Sequence, residues 1–343
     1  MGLIGRRRFL ACAVGAGGLA ALGSIRWLGG SRKTASVGLV AGLKAFRLTS
    51  FALGSKVSIT ALHPDEQVAR RAVAAGFTEL ARIEQVMSLY RPDSELSRLN
   101  RSGRLDNPHS YLVAVLQKAQ EVADRTGGAF DVTVQPLWDL CASSLRSGRT
   151  VVLPDIQAAC HKVDWRKVDV SSNAIRLAGD GMAITLNGIA QGFAADCVLR
   201  VLREHGIEHA LVDTGEIASL GRKATGQRWT AGIQHPRRPD AYISLAALDG
   251  RCMSTSGDYA TAFDKDFTRH HIFDPATGAS PQELASVTVV APMGIDADAL
   301  STAVFVLGPV RGRDLVDATA GADALLVRKD GTAVVTDNFP TVS

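Results

Sequence analysis

One stretch decides the fold: Ala183-Ile184-Thr185-Leu186-Asn187-Gly188-Ile189-Ala190-Gln191-Gly192-Phe193. It begins as a short apolar run and breaks at Asn187-Gly188. Apolar residues then recur at three- and four-residue spacing, which places them on one face of a helix. These residues are Ile189, Phe193, Cys197, Val198, Val201 and Leu202. Gly206 supplies the left-handed residue that ends helices. The pattern predicts a strand, a glycine turn and a helix.

The chain that follows this helix extends the unit. Ala210-Leu211-Val212 is predicted to be the next strand, and Gly215 opens a turn after it. A glycine turn that leads into a helix N-terminus is a common way to present backbone amides to a phosphate. A strand–helix–strand unit without any ligand has the same pattern. Taken alone, this stretch favours that simpler interpretation.

The first 33 residues have the organisation of an export signal. Arg6-Arg7-Arg8 precedes an apolar, glycine- and alanine-rich run from Phe9 to Leu22, which is shorter than the ~20 residues of a membrane-spanning helix. A buried N-terminal helix is disfavoured by three adjacent arginines and so many glycines. The pattern predicts twin-arginine export to the bacterial periplasm, and an uncleaved leader would hold the protein at the inner membrane. Residues 34–45 are predicted to be a linker and residues 46–343 the folded domain.

Charge and cysteine usage exclude several classes of function. The leader carries six basic residues and no acid, so without it the net charge of +4 becomes −2. The overall basic balance therefore gives no reason to expect a nucleic-acid partner, and no base-reading motif is present. The five cysteines are widely spaced without a CxxC pair, which fits neither a zinc site nor a disulfide framework, although one bridge is compatible with an oxidising compartment.

Strands and helices are predicted in separate groups along the chain. Helices are predicted after Pro64, from 112 to 126, and from Asp296 onward. Short strands are predicted at 168–170, 174–177 and 183–186 as a meander, and at 229–234, 241–248 and 286–291. Because the strands are grouped away from the helices, the fold class is α+β rather than a doubly wound sheet.

Two residue pairs could carry chemistry. Asp298 and Thr302 are four residues apart on a helix and share a face, where their oxygens suit Mg²⁺ completed by a substrate phosphate. His271 is close enough to Asp274 for the carboxylate to orient the imidazole. Each pair alone is more often structural. The sequence has no GxGxxG, no GxxxxGK[ST] and no GxSxG, so a Rossmann flavin fold is disfavoured.

Six motifs, in order, carry a resemblance to one family. They are Met87-Ser88-x-Tyr90 with Ser94-Glu95-Leu96-Ser97-Arg98-Leu99-Asn100; Gly128-Ala129-Phe130-Asp131; Gly188-Ile189-Ala190-x-Gly192; Ser254-Thr255-Ser256-Gly257-Asp258-Tyr259; His271-Ile272-x-Asp274-Pro275-x-Thr277-Gly278; and Ala297-Asp298-Ala299-x-x-Thr302. Each motif is weak by itself. Together, across about Ala52 to Gly308, they resemble the ApbE-type FAD:protein FMN transferases.

The resemblance implies an α+β fold with mixed or antiparallel sheets and flanking helices around a flavin-nucleotide cleft. It implies a periplasmic, Mg²⁺-dependent enzyme that cleaves FAD, attaches FMN through a phosphoester to a Ser or Thr of an exported or membrane acceptor protein, and releases AMP. The cation would polarise the pyrophosphate, and a base would take the proton of the acceptor hydroxyl.

The resemblance also assigns residues to roles. The implied metal ligands are Asp298, Thr302 and the main-chain carbonyl of Ala190. The implied flavin-nucleotide contacts are Leu53, Tyr90, Ala129, Phe130, Asp131, Asn187, Phe193 and Ile272. The implied catalytic residues are His271 and Asp258, with His271 as the hypothesised base.

Two positions depart from the family pattern. Gln191 stands where a charged residue is common, and Leu53 stands where many members carry a flavin-stacking Met. The motif stretch is closest to the NosX branch, which implies an acceptor in the membrane redox system of nitrous oxide respiration. Two alternatives stay open: an FAD pyrophosphatase that uses water in place of the acceptor, and a non-enzymatic flavin-binding maturation factor that keeps FAD without releasing AMP.

Overall fold

The computed structural model describes residues 42–342, so the predicted leader and the linker up to residue 41 lie outside it. The helices are α1 Glu66–Met87, α2 Glu95–Ser102, α3 Ser110–Arg125, α4 Gln135–Ser147, α5 Leu153–Cys160, α6 Ala190–Glu204 and α7 Gly294–Asp317. The strands are β1 Lys44–Ala52, β2 Ser55–His63, β3 Arg104–Asp106, β4 Val168–Val170, β5 Ala174–Leu177, β6 His209–Asp213, β7 Ile217–Leu220, β8 Trp229–His235, β9 Arg238–Leu248, β10 Cys252–Gly257, β11 Leu284–Ala291, β12 Asp323–Arg328 and β13 Ala333–Val335.

An eight-stranded sheet forms the centre, in the order β1-β2-β6-β7-β10-β11-β12-β13, and its neighbouring strands are antiparallel. A three-stranded sheet, β3-β5-β4, and the ribbon β8-β9 are separate from it. Antiparallel sheets with helices packed against them confirm the predicted α+β class. β1 begins at Lys44, so the last two residues of the predicted 34–45 linker are strand.

The central sheet is covered on both faces. Helices α1, α6 and α7 pack on one face, while the β8-β9 ribbon packs on the other. Strand β11 lies between these two layers, and every one of its residues is buried. Within it, the adjacent residues Val289 and Val290 belong to different hydrophobic clusters, one on each face of the sheet. A strand covered on both sides loses the alternation of polar and apolar residues.

The prediction of a strand at 183–186 is wrong. This segment belongs to no sheet, and the backbone of Ile184 pairs with a side chain instead of a neighbouring strand. The Asn100 amide donates to the Ile184 carbonyl and accepts from its N–H, both at 2.8 Å. Thr185 donates to the Val132 carbonyl at 2.8 Å. The backbone groups of Ile184 and Thr185 therefore form hydrogen bonds with separate partners instead of with one strand. The segment then continues directly into the Asn187-Gly188 turn.

Most other predicted elements are confirmed, including β4, β5, β8, β9, β11 and the helix α1, whose N-cap is Asp65. The helix after Asp296 starts slightly earlier, at Gly294. Cys141, Cys160, Cys197 and Cys252 are unpaired thiols in the described chain. Between residues 42 and 342, no helix is both long and apolar enough to cross a bilayer.

Candidate active site

One cleft collects most of the predicted site residues, and it encloses about 910 Å³ of empty volume including its open mouth. Its lining consists of Ala129, Phe130, Asp131, Val132, Val134, Trp138, Thr185, Asn187, Gly188, Glu216, Thr255, Ser256, His271, Ile272, Phe273, Pro275, Asp298 and Thr302. The lining combines aromatic and apolar side chains with hydroxyls and three carboxylates, those of Asp131, Glu216 and Asp298.

The polar part lies where the first turns of α6 and α7 meet. A Cβ added to Gly192 would lie 2.0 Å from the Gly294 carbonyl oxygen, so only glycine allows this approach. Each helix supplies an acid to the other's N-terminus. Asp298 of α7 accepts from the Gly192 N–H at 2.9 Å, and Asp196 of α6 accepts from the N–H groups of Gly294 and Ile295 at 2.7 and 2.9 Å. Both acids therefore satisfy amides that a helix N-terminus leaves unpaired.

A hydroxyl network surrounds Asp298, which exposes only 3% of its surface. The Ser254 hydroxyl lies 3.4 Å from its Oδ1 and 3.2 Å from the Ser301 hydroxyl. The Ser256 hydroxyl lies 2.8 Å from that of Ser301 and 3.1 Å from that of Thr302. Asp298 and Thr302 thus share one polar cluster, as their helical spacing predicts.

The oxygens of Asp298 and Thr302 fit a Mg²⁺ ion that water and substrate phosphates complete. They are too few for a metal that protein ligands hold alone. Asp298 and Thr302 offer hard oxygen ligands, and Gly188 brings the backbone against Thr302, where an added Cβ would meet Oγ1 at 3.0 Å. Among residues 42–342, no group of three or more His, Cys, Asp or Glu is placed to hold a metal. Mg²⁺ is commonly bound through one or two carboxylates and completed by water and substrate phosphates. Ala190, the third predicted ligand, is the first residue of α6.

His271 lies in the cleft wall, on the loop between β10 and β11. Its Nδ1 lies 3.3 Å from the Thr261 carbonyl oxygen, and its backbone N–H donates to the same carbonyl at 3.0 Å. A carbonyl can only accept, so this contact requires the proton on Nδ1 and leaves the imidazole lone pair on Nε2. That tautomer is the one that a general base in the cleft requires.

Asp274 does not fill the orienting role that its closeness in sequence suggests. Its carboxylate accepts from the Ala276 N–H at 3.0 Å and from the Thr277 hydroxyl at 2.9 Å. These bonds close the turn that follows His271. The Thr261 carbonyl, ten residues before His271, orients the imidazole instead.

Asp258, the second predicted catalytic residue, does not line the cleft. It is fully buried, and both carboxylate oxygens accept from Arg237, at 2.7 and 2.8 Å. The Lys329 ammonium lies 3.9 Å from the same carboxylate. A carboxylate that is fully buried and outside the cleft lining cannot reach an acceptor hydroxyl in the cleft. The structure therefore gives Asp258 a structural position and leaves His271 as the candidate base.

Five predicted flavin-nucleotide contacts line the cleft: Ala129, Phe130, Asp131, Asn187 and Ile272. Asp131 also holds the loop together, because its carboxylate accepts from the Thr133 N–H at 2.7 Å, the Thr133 hydroxyl at 2.6 Å and the Trp165 N–H at 3.1 Å. Burial raises the pKa of Asp131, and these hydrogen bonds oppose the rise.

Three predicted contacts lie outside the cleft lining. Tyr90 is half-exposed, but its phenol end reaches the edge of the cleft and bonds with the Asn187 side chain; desolvation raises the pKa of Tyr90 and this bond opposes the rise. Leu53 occupies the β1-β2 turn with φ of +51°, and its N–H donates to Glu84 at 3.1 Å. The Phe193 ring packs edge-on against Tyr111, with ring centroids 5.3 Å apart. The flavin contacts of Leu53 and Phe193 stay predictions.

Sequence reasoning missed several lining residues, chiefly Glu216, Thr255, Ser256, Trp138 and Phe273. Glu216 is 3% exposed, and its carboxylate accepts from the Thr255 N–H at 3.3 Å. The hydroxyl-rich run at 254–256 was a usable signal, because alternate residues of a strand point to the same face. Nothing local marks Trp138 or Phe273 as cleft residues.

Fold and cleft define a class: an α+β protein with a cleft whose lining combines aromatic side chains with hydroxyls and carboxylates. Comparison with known sequences places the chain within that class. A sequence model described as the ApbE family matches residues 53–326. The chain belongs to the ApbE family, which confirms the resemblance drawn from its motifs.

Named relatives and solved structures agree with that assignment. The FAD:protein FMN transferase of Treponema pallidum is 35% identical over 280 residues, covering 74% of this chain and 76% of that protein. The protein of the same name from Escherichia coli K12 is 31% identical over 277 residues, covering 77% of each. The ApbE protein of Thermotoga maritima superimposes with a TM-score of 0.76 at 27% identity, covering 86% of this chain and 97% of that one. The flavin transferase ApbE of Vibrio cholerae gives 0.76 at 25% identity, covering 88% and 100%.

Proposed function

We propose that this protein is an FAD:protein FMN transferase that requires Mg²⁺. It cleaves the pyrophosphate of FAD, attaches FMN to a Ser or Thr hydroxyl of an acceptor protein through a phosphoester, and releases AMP. The observation that carries the proposal is one cleft in which His271 and the Asp298–Thr302 cluster both line the space beside an aromatic wall. The names of the relatives support the same reaction.

The oxygen cluster is the proposed phosphate end of the cleft. Asp298 and Thr302, with the Ala190 carbonyl, would hold the cation. Bound there, Mg²⁺ would polarise the pyrophosphate and stabilise charge on the departing AMP. Asp298 keeps one oxygen on the Gly192 amide, so its orientation is fixed by the helix contact rather than by the ligand. Ser256 fixes the Thr302 hydroxyl in the same way.

His271 is the proposed general base. The acceptor oxygen attacks the phosphorus of the FMN half, the bond from that phosphorus to the oxygen shared with AMP breaks, and the hydroxyl proton passes to Nε2 of His271. The Thr261 carbonyl keeps the other proton on Nδ1, so Nε2 is the basic atom. Phe130, Ile272 and Phe273 would enclose the flavin nucleotide on the apolar side.

We propose an exported or membrane redox protein as acceptor, in the periplasm, reached by the twin-arginine route. The support is the Arg6-Arg7-Arg8 leader, followed by its short apolar run. The motif stretch around Asn187–Phe193 supports the narrower proposal of an acceptor in nitrous oxide respiration.

The test incubates the purified full-length chain with FAD, Mg²⁺ and candidate exported redox proteins. It follows AMP release together with flavin fluorescence on the denatured acceptor. We expect one AMP per flavinylated acceptor, loss of both with EDTA, and loss of about 10²- to 10⁴-fold in transfer with His271→Ala. Wild-type transfer by His271→Ala would remove the base assignment.

Other products would point to a different function. AMP and FMN at equal rates with and without every acceptor would identify a pyrophosphatase, with water in place of the hydroxyl. Bound FAD that survives intact, with no AMP, would identify a carrier and would contradict the proposal.

A further inference from the structure

The loop that carries His271 is held from outside the cleft, and the contact comes from the ribbon on the far face of the sheet. Arg237 lies at the turn between β8 and β9. Its two terminal nitrogens bind the two oxygens of Asp258, at 2.7 and 2.8 Å, and its guanidinium lies 4.2 Å from the centre of the Phe267 ring. Arg237 therefore contacts this loop at two points.

The contact with Asp258 is close to the atom that orients His271. Asp258 directly follows β10, and Thr261, whose carbonyl accepts from the backbone N–H and from Nδ1 of His271, comes three residues later. Asp258 is also tied to the sheet, since its N–H donates to the Ala285 carbonyl at 3.1 Å. Fixing the Asp258 carboxylate thus fixes the start of the segment that ends at the Thr261 carbonyl.

The contact with Phe267 holds the other end of the same loop. Phe267 has a φ of +57°, a left-handed conformation that a bulky residue rarely adopts without support. Its carbonyl accepts from Lys329 at 2.7 Å. The backbone returns at the Ala262–His270 bridge, which brings His271 beside Thr261. Arg237 therefore contacts the loop both before Thr261, at Asp258, and after it, at Phe267.

We infer that Arg237 is a positioning residue for the transfer reaction: through Asp258 and Phe267 it sets the Thr261 carbonyl, and so the orientation and tautomer of His271. This inference rests on the proposed function. Arg237 does not line the cleft, so it does not need to touch FAD or the acceptor. A guanidinium is required because only its planar fork bonds both carboxylate oxygens at once.

The test is Arg237→Lys, which keeps the charge but loses the fork. The matched control is Arg238→Gln, since Arg238 is the neighbouring arginine and is exposed. We expect Arg237→Lys to lower single-turnover AMP release, with Mg²⁺ and the labelled acceptor, by about 10- to 100-fold, because a small misplacement of a reacting group has effects of that order. FAD affinity, measured by flavin fluorescence, should stay within about twofold. Arg238→Gln should match the wild type in both.

A double-mutant cycle with His271→Ala separates positioning from general stability. If Arg237 acts through His271, then adding Arg237→Lys to His271→Ala costs no further activity. A second loss of the same size in that background, or a parallel loss of FAD affinity, would overturn the inference. So would a wild-type rate for Arg237→Lys.

Should Arg237→Lys not fold, the neutral pair Arg237→Gln with Asp258→Asn replaces it, because that pair leaves neither member of the Arg237–Asp258 ion pair charged without the other. The same cycle with His271→Ala then decides. A wild-type chain that releases no AMP and labels no acceptor would reject the proposed function, and this inference with it. An active wild type with an unaffected Arg237 variant would reject the inference alone.

Discussion

The two sides of the cleft are held in different ways. On the helix side, Asp298 and Thr302 belong to a helix whose first turn packs directly on another helix at Gly192, and their partners are backbone amides and neighbouring hydroxyls. On the loop side, His271 lies on an irregular segment that Arg237, from the turn of the β8-β9 ribbon, contacts through Asp258. The helix side takes its local geometry from two helices packed together, whereas the loop side combines local bonds around Thr261 and His271 with the contacts that Arg237 makes from another sheet.

The strongest test of the helix side is Asp298→Asn. The amide oxygen can still accept from the Gly192 N–H, so the helix contact should survive while the proposed Mg²⁺ site loses its carboxylate. We expect AMP release to fall by about 10³-fold, since metal stabilisation of the transition state is worth several kcal/mol. The melting temperature should stay close to that of the wild type.

Asp298→Ala is the matched comparison. It loses the carboxylate and also leaves the buried Gly192 N–H unpaired, so it should be both inactive and less stable. Equal melting temperatures for the Asn and Ala variants would show that the amide contact contributes nothing to the fold.

Gly192→Ala tests the closeness of the two helices. The new Cβ would lie 2.0 Å from the Gly294 carbonyl oxygen and 2.7 Å from Asp298 Cβ, so α6 and α7 must separate. We expect a loss of about 3 kcal/mol in the free energy of unfolding, at the upper end for overpacking. Urea denaturation measures it. Gly294→Ala, which enters the same contact from the other side, should act in the same direction; tolerance of both variants would mean that the helices are not in tight contact.

Asp196→Ala is the smaller perturbation of the same contact. It removes the side chain that accepts from Gly294 and Ile295 but places nothing new in the interface. Loss of an N-terminal cap costs about 1–2 kcal/mol. Chemical denaturation should give that value, with Asp196→Asn retaining part of the stability. A wild-type stability for the alanine variant would contradict the capping role.

The loop side predicts a pH effect on stability, centred on His270. This residue is fully buried, its Nε2 lies 3.1 Å from the Pro281 carbonyl oxygen, and its Nδ1 has no hydrogen-bond partner. Burial lowers the pKa of His270; Lys329 acts in the same direction, while the Pro281 hydrogen bond, Asp258 and Asp264 oppose it. The unfolded chain therefore takes up a proton before the folded one does.

Stability from this residue should be complete above about pH 6.5 and should fall as the pH drops below that value, because the unfolded state then binds more protons. Unfolding free energies at pH 7 and pH 5 measure the slope. His270→Gln should flatten it, and an unchanged slope would place the proton uptake elsewhere.

The helix side was largely predictable from sequence, and the loop side was not. The four-residue spacing of Asp298 and Thr302 places them together on any helix, so no tertiary information was needed. The same local reasoning paired His271 with Asp274, but the carboxylate closes its own turn, as Asp often does. The ion pair of Arg237 with Asp258 has no local signal, because it joins two sheets.

The segment 183–186 shows the same limit within the fold. Its apolar run is typical of a strand, but its partner is the Asn100 side chain, 84 residues earlier. Periodicity reports which residues are buried and cannot identify what pairs with the backbone. Local patterns therefore predicted most of the helices and strands. Long-range polar contacts determined the hydrogen bonding of the 183–186 segment and of the loop that carries His271.

The reciprocal capping of α6 and α7 also has a consequence for how the chain folds. The bond from Gly192 to Asp298 spans 106 residues, and the bond from Gly294 to Asp196 spans 98. Closing a loop of that length costs about 4 kcal/mol of chain entropy, but one closure brings both acids to their amides at once. We therefore expect the two contacts to form late and together, and the proposed cation site to form with them. Binding of a nucleotide in the cleft would then serve as a measure of complete folding.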